Sequence, residues 1–252
     1  MTPRDALKPV GLSVVIPCYN EEKNIPTVLK NFARSFESRG DVELVLVDNG
    51  SRDESARVIE EETRRHGYGF VRKVRVEKNQ GYGFGILAGL KEAWGDVLAW
   101  THADLQTDPA DVMKAYALYL SEAGKGAGVL VKGFRQNRAL SERVFSFGMQ
   151  ALASLMLGAP LSEINAQPKL FPRALYEAMK HPPHDFSLDL YLLYAAHKLG
   201  YKIVTLDVDF KNRLYGEAKG GGGSDFKTRW KLIKRTWQYM VELKNRLRKE
   251  GV

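Results

Sequence analysis

A histidine, two aspartates and a glutamine fall within Thr101-His102-Ala103-Asp104-Leu105-Gln106-Thr107-Asp108-Pro109. An imidazole, a carboxylate and an amide oxygen can together bind a divalent ion that bridges a diphosphate. In extended chain, alternate side chains share a face, so His102, Asp104 and Gln106 would point one way if strand geometry persisted. The segment also reads as a helix entry, begun by Thr107 or Asp108 before Pro109, with Asp104 exposed. Three further segments have the composition of a ligand site. Pro17-Cys18-Tyr19-Asn20-Glu21-Glu22 offers a ring to stack on a base and polar groups at a helix start. Asp48 follows a hydrophobic run, where it accepts hydrogen bonds from a base edge or ribose, or serves as a turn residue. Asn79-Gln80-Gly81-Tyr82-Gly83 places glycines where backbone approaches a ligand, or where a turn needs them.

These residues need elements to position them. Leu12–Ile16 and Val42–Val47 are apolar runs of the kind that form buried parallel strands, and Val71–Val76 and Asp96–Trp100 continue the series. Ile25, Val28, Leu29 and Phe32 recur at helical spacing, Ser51 to Glu54 has the form of a capping box before a helix through Ile59, and Gly85 to Ala93 is a third helix. Alternation of strand and helix from residue 12 to about 120 predicts an α/β fold: a Rossmann-like, mostly parallel sheet flanked by helices. Ligands bind such sheets at the carboxyl ends of their strands, where the polar residues above lie. The second half predicts a strand at Gly128–Gly133, a long apolar helix at Leu140–Leu157, a helix at Ser187–Leu199, a strand at Lys202–Phe210, a glycine-rich loop at Lys211–Ser224 and a basic helix from Asp225 onward.

The chain has 252 residues, 44% hydrophobic and 27% charged, the profile of one large globular domain. A formal charge of +8 points to an anionic partner. Cys18 is the sole cysteine, which excludes an internal disulfide and a cysteine-only zinc site. Met1–Val10 lacks the apolar centre of a signal peptide, and no window approaches the ~20 apolar residues of a membrane span. No nucleic-acid motif is present, so nucleic acid is not an expected partner.

The segments VVIPCYNEEKNI, LVLVDNGSRDES, KNQGYGFGILAGL, THADLQTDP, NAQPKLF and RLYGEAK follow one another from residue 12 to 219. In that order they resemble family 2 inverting glycosyltransferases of the GT-A-type fold, and within them the dolichyl-phosphate (polyprenyl-phosphate) mannose and glucose synthases. The resemblance implies that Pro17, Tyr19 and Glu21 line a nucleotide pocket, that Asp48 contacts the base, and that Asn79 and Gly81 flank the nucleotide. Asp104 and Gln106 match the second aspartate and the glutamine of the family's D-A-D-x-Q metal motif, which holds Mg or Mn; His102 stands where the first aspartate is expected, beside the donor. Arg213-Leu-Tyr-Gly216-Glu-Ala-Lys219 resembles the R-x-x-G-x-S-K loop, with Ala218 for the serine. Its cations suit the donor diphosphate and the acceptor phosphate, as do Lys132 and Arg135 at the end of the fifth strand. Asp189 falls where related transferases place an acidic residue, as base or as a hold on sugar or acceptor; Asp185 competes for that role, and either also reads as a helix cap.

The reaction so implied moves a sugar from a nucleotide-diphosphate donor to a polyprenyl phosphate. A soluble transferase with a hydroxyl acceptor and an inactive nucleotide-sugar-binding protein are the alternatives. Residues 1–224 read as the catalytic domain and 225–252 as a basic amphipathic helix. Its stripe of Phe226, Trp230, Ile233, Trp237, Met240 and Val241 suits packing on the domain, and its lysines suit a membrane surface. The expected location is cytoplasmic, peripheral on the cytoplasmic membrane face.

Overall fold

The computed structural model describes residues 10–37, 39–126, 128–137, 140–210 and 226–249. Among these residues seven strands form one sheet, in the order β3-β2-β1-β4-β6-β5-β7. The strands are β1 (Leu12–Cys18), β2 (Val42–Asn49), β3 (Val71–Val76), β4 (Val97–Trp100), β5 (Val129–Gln136), β6 (Lys169–Pro172) and β7 (Lys202–Asp209). All pairings are parallel except those of β6, which runs antiparallel to both β4 and β5. The chain first builds outward from β1 to β3, then returns to place β4 on the other side of β1. This reversal lies between β1 and β4, and open α/β sheets bind ligands at the carboxyl ends of strands at such a point.

Strand alternation assigns side chains to two cores. Leu12, Val14, Ile16, Leu44, Leu46 and Ala99 face α1 (Ile25–Ser35), α2 (Ser55–His66) and α4 (Pro109–Ala123). Val15, Val45, Val47, Leu98 and Trp100 face α3 (Tyr82–Glu92), α5 (Leu140–Leu157), α6 (Arg173–Glu177), α7 (Leu188–Lys198) and α8 (Phe226–Lys249). With both faces covered, β1 and β2 read as continuous apolar runs, which is why they are legible in the sequence. Met240 and Leu243 join α8 to the second core.

Three local expectations are corrected. Ser51 and Glu54 form no capping box: Ser51 Oγ accepts from the Asn20 backbone N–H at 3.1 Å, and α2 begins at Ser55. α3 starts at Tyr82, three residues before the expected Gly85. β6 is absent from the sequence reading, because its first residue is a lysine and its last a proline. Lys169 is tolerated there, fully buried, because its ammonium finds the Ile164 carbonyl at 2.8 Å and the Ala166 carbonyl.

Candidate active site

The loops after β1 and β2 are laced together by their own polar groups. Asn20, which adopts φ 54°, accepts from the Arg52 N–H at 2.8 Å. The Glu21 N–H donates to Ser55 Oγ at 2.8 Å, and the Glu22 N–H to Asp53 Oδ2 at 3.2 Å. Glu22 in turn accepts from the Glu54 N–H at 3.0 Å, while Glu21 Oε2 accepts from Asn24 at 2.6 Å. This bracing ties the segment that follows Tyr19 to the loop after β2. Asp48 lies opposite Cys18 in the parallel register, is 3% exposed, and accepts from the Ser51 N–H at 3.0 Å. Asp48 is therefore a turn residue, with its carboxylate buried at the carboxyl end of β2.

The segment after β3 reaches the end of β2. Asn79 Oδ1 accepts from the Gly81 N–H at 2.9 Å, and the Gly81 carbonyl accepts from Asn49 Nδ2 at 2.9 Å. The glycines here serve a backbone contact: a Cβ on Gly83 would lie 2.6 Å from the Pro183 carbonyl oxygen, and one on Gly81, at φ 117°, would meet the His184 carbonyl. The close approach expected toward a ligand is thus an approach of the segment 183–185 onto the first turn of α3, secured by the Phe84 N–H donating to the His184 carbonyl at 2.9 Å.

β4 ends at Trp100, and Leu105 adopts φ 58°, so the extended geometry that would align His102, Asp104 and Gln106 does not persist. The loop is pinned at both ends instead. Thr101 and Thr107 hydroxyls are 3.2 Å apart, and Asp108 caps α4 by accepting from the Ala110 N–H at 2.9 Å. Asp104 is 7% exposed rather than open to solvent, and its Oδ1 accepts from the Gln106 N–H at 3.2 Å. Among the described residues no group of three or more His, Cys, Asp and Glu side chains is arranged to hold a metal. Asp104 and Gln106 supply two hard oxygen donors, a set that fits Mg or Mn when diphosphate oxygens complete the shell. His102 is engaged elsewhere: its Nε2 is 3.4 Å from the Tyr82 hydroxyl, and its ring stacks on Tyr82 at 5.4 Å.

Behind this loop Asp189, a candidate from the sequence, joins a network with Tyr82, Gln167 and Lys169 whose contacts the motifs did not reveal. Tyr82 is sandwiched between His102 and Phe186, the latter stacked at 4.7 Å. Gln167 Nε2 donates to the Tyr82 hydroxyl at 3.3 Å and to Asp189 Oδ1 at 3.0 Å. Trp100 Nε1 donates to the same oxygen at 3.0 Å, and Lys169 Nζ lies 3.6 Å from it. Asp189 is 1% exposed in the first turn of α7. Asp185 is the turn residue there, accepting from the Ser187 N–H at 2.8 Å. Burial, then the carboxylates of Asp189 and Asp104, push the Tyr82 phenol well above its ordinary range, so it stays a neutral donor. Gln167 Oε1 is buried with no partner among the described residues. The sequence signal for the rest of this cluster is Gln167-Pro168-Lys169, a glutamine and a lysine directly before the apolar Leu170-Phe171, within the segment NAQPKLF.

Lys132 and Arg135 do not stand free at the strand end. Lys132 is 2% exposed and donates to the Ser162 carbonyl, and Arg135 pairs with Glu163 at 2.8 Å. Burial, then the charge of Lys169, pulls Lys132 down to about 7. Arg213 and Lys219 lie outside the described residues.

Residues 13–179 match the family model described as Glycosyl transferase family 2. The undecaprenyl-phosphate 4-deoxy-4-formamido-L-arabinose transferase of Pseudomonas fluorescens (strain Pf0-1) is 36% identical over 171 residues, 67% of this chain and 48% of that protein. The enzyme of the same description from Enterobacter sp. (strain 638) is 29% identical over 222 residues, 87% of this chain and 64% of the relative. The chain thus spans from about half to somewhat under two thirds of these relatives' lengths. Among solved structures, glucosyl-3-phosphoglycerate synthase from Mycobacterium tuberculosis with Mn2+, UDP and glucosyl-3-phosphoglycerate aligns with a TM-score of 0.68 at 21% identity, covering 93% of this chain and 80% of that one. Its UDP complex aligns with a TM-score of 0.71 at 19% identity, covering 94% and 80%. These likenesses establish a shared GT-A fold.

Proposed function

The chain belongs to glycosyl transferase family 2, and from that premise we propose that it transfers a sugar, with inversion, from a nucleotide-diphosphate donor to a polyprenyl phosphate. Both curated relatives are described as undecaprenyl-phosphate sugar transferases, which supports the acceptor class. The observation that carries the reading is the state of Asp189. Its carboxylate is buried and already held by Trp100, Gln167 and Lys169. A hydroxyl acceptor needs a general base within reach. A phosphate monoester, with a second pKa of about 6, is largely dianionic at neutral pH and needs none. An immobilised Asp189 suits the second case, as a residue that positions rather than one that takes a proton.

In this reading Tyr19 and Asp48 receive the nucleoside, with Pro17, Glu21, Asn79 and Gly81 shaping the wall around it. Asp104 and Gln106 would hold Mg or Mn together with the donor diphosphate; when bound, the ion neutralises the leaving diphosphate. His102, clamped by Tyr82, lines the donor side without ligating. Arg213 and Lys219 provide cations for the two phosphates, and Arg135, already neutralised by Glu163, contributes less. The place of action is the cytoplasmic face of a membrane, with the protein bound peripherally.

The test is a transfer assay with purified protein, Mg2+ or Mn2+, a panel of nucleotide sugars and a short-chain polyprenyl phosphate. Lipid-extractable sugar from one donor, with an Asp189→Asn variant that is slowed but active, is the expected result. Donor hydrolysis without lipid product, or complete loss of transfer in an Asp189→Asn variant whose urea midpoint shows that it is folded, points to a hydroxyl acceptor instead. Failure to bind any donor, with or without metal, overturns the transferase reading.

A further inference from the structure

The positive charge of the chain is not spread over it. Residues 226–249 contain nine Lys or Arg and a single acid, Glu242, so this one helix carries the whole formal charge of +8 and the remainder sums to zero. The stripe that periodicity grouped together is split by the fold. Met240 and Leu243 are buried in the core, whereas Trp230 is 60% exposed and Trp237 43%. Trp230, Lys234 and Trp237 follow at i, i+4 and i+7 and share a helix face, and Lys234 is exposed with them. α8 packs against α5, whose Phe147 is 71% exposed and Leu155 83%, one face of that helix at i and i+8. Of the seven large apolar side chains exposed among the described residues, four belong to this helix pair.

We infer that the exposed face of α5 and α8 is a docking surface for an anionic lipid bilayer, with Trp230 and Trp237 set at headgroup depth between lysines. An indole has an apolar body and a hydrogen-bonding edge, which suits the boundary between acyl chains and headgroups. The single-sign charge supplies the attraction to anionic lipid, about fivefold in affinity for each basic residue near the surface. Met240 and Leu243, rooted in the core, tie the helix rigidly to the catalytic domain, so docking would fix the distance of the candidate site from the membrane. The inference deepens the polyprenyl-phosphate reading and rests on it for the purpose of docking; the surface itself stands on the residues named here.

The experiment is sedimentation of the full chain with vesicles of phosphatidylcholine alone, or of phosphatidylcholine with about one third phosphatidylglycerol. Expected are binding at least tenfold tighter to the anionic vesicles, weakening with salt, and quenching of tryptophan emission by brominated lipid. A Trp230→Ala/Trp237→Ala variant should partition about tenfold less and lose the quenching, with its urea midpoint unchanged; Trp94 and Trp100 remain as internal reference. Equal binding to both vesicle types, unchanged partition of the double variant, or a solution dimer that dissociates when both tryptophans are replaced would each overturn the inference. Transfer to a short, water-soluble acceptor without vesicles separates the two readings. Transfer with no docking overturns the surface alone, and docking with no transfer supports the surface while overturning the acceptor class.

Discussion

Lys169 and Asp189 form an ion pair that is closed to solvent on both sides. Burial draws Lys169 down to about 8, with the Asp189 charge opposing that shift, so the ammonium is mostly charged at neutral pH. Removing one partner strands the other charge in the interior. Lys169→Met is therefore expected to lower stability by about 3–5 kcal/mol, and Lys169→Met combined with Asp189→Leu to recover much of it. Urea unfolding of the single and double variants checks this, and additive losses would mean that the pair is not coupled. Lys132 carries a pH signature. Its folded value is about 7, against about 10.4 in an unfolded chain, so the unfolded chain binds the extra proton across that window and stability rises with pH through it. The penalty is fully present below about pH 7 and fades toward pH 10. Lys169 acts in the same direction from about 8. Urea midpoints at about pH 7 and 9.5 should converge in Lys132→Met relative to the parent.

The elements position these residues through loop-to-loop contacts. The crossing of segment 183–185 over the start of α3 needs glycine: a Cβ on Gly83 would sit 2.6 Å from one backbone carbonyl oxygen and 2.7 Å from another. Neither can swing away as a side chain would. Gly83→Ala is expected to cost about 1–3 kcal/mol and to displace Phe186 and the first turn of α7, where Asp189 lies. Lower transfer activity with altered near-ultraviolet circular dichroism would bear this out, and an unchanged melting temperature would argue against it. The loops after β1 and β2 are different in kind, because side-chain groups of Asn20, Ser51, Asp53 and Ser55 satisfy main-chain donors of the facing loop. That is why Ser51 reads as a helix cap in the sequence: the same hydroxyl suits a local N–H or one 31 residues away, and only the fold brings the second within reach.

At the scale of the whole molecule, the sheet order puts β1 beside β4, so the loops that carry Tyr19 and Asp104 follow neighbouring strands. α8 is part of the same body through Met240 and Leu243. Met240→Ala is expected to lower stability of the entire domain by about 2–4 kcal/mol in one cooperative transition. A biphasic transition, with α8 released first, would instead make the helix a separate unit. No helix among the described residues is long and apolar enough to cross a membrane. Separately, the charge and indole placement described above make attachment through α8 the arrangement to test.

The sequence by itself determined the strand–helix alternation, because strands covered on both faces must be apolar throughout and therefore stand out as runs. It also determined which polar residues follow those runs, and so named Asp48, Asp104 and Gln106. Tertiary structure alone decided how these residues are held. The φ of Leu105 turned a strand-like spacing into a loop. The imidazole of His102 lies against Tyr82, and Glu163 pairs with Arg135. The antiparallel β6 and its buried Lys169 were invisible because a charged residue in a strand is stable only when partners from distant segments reach it. Periodicity likewise gave α8 one apolar stripe, and only packing determined that Met240 turns inward and Trp230 outward: a helix of fixed pitch offers many faces, and the neighbouring core decides which is buried.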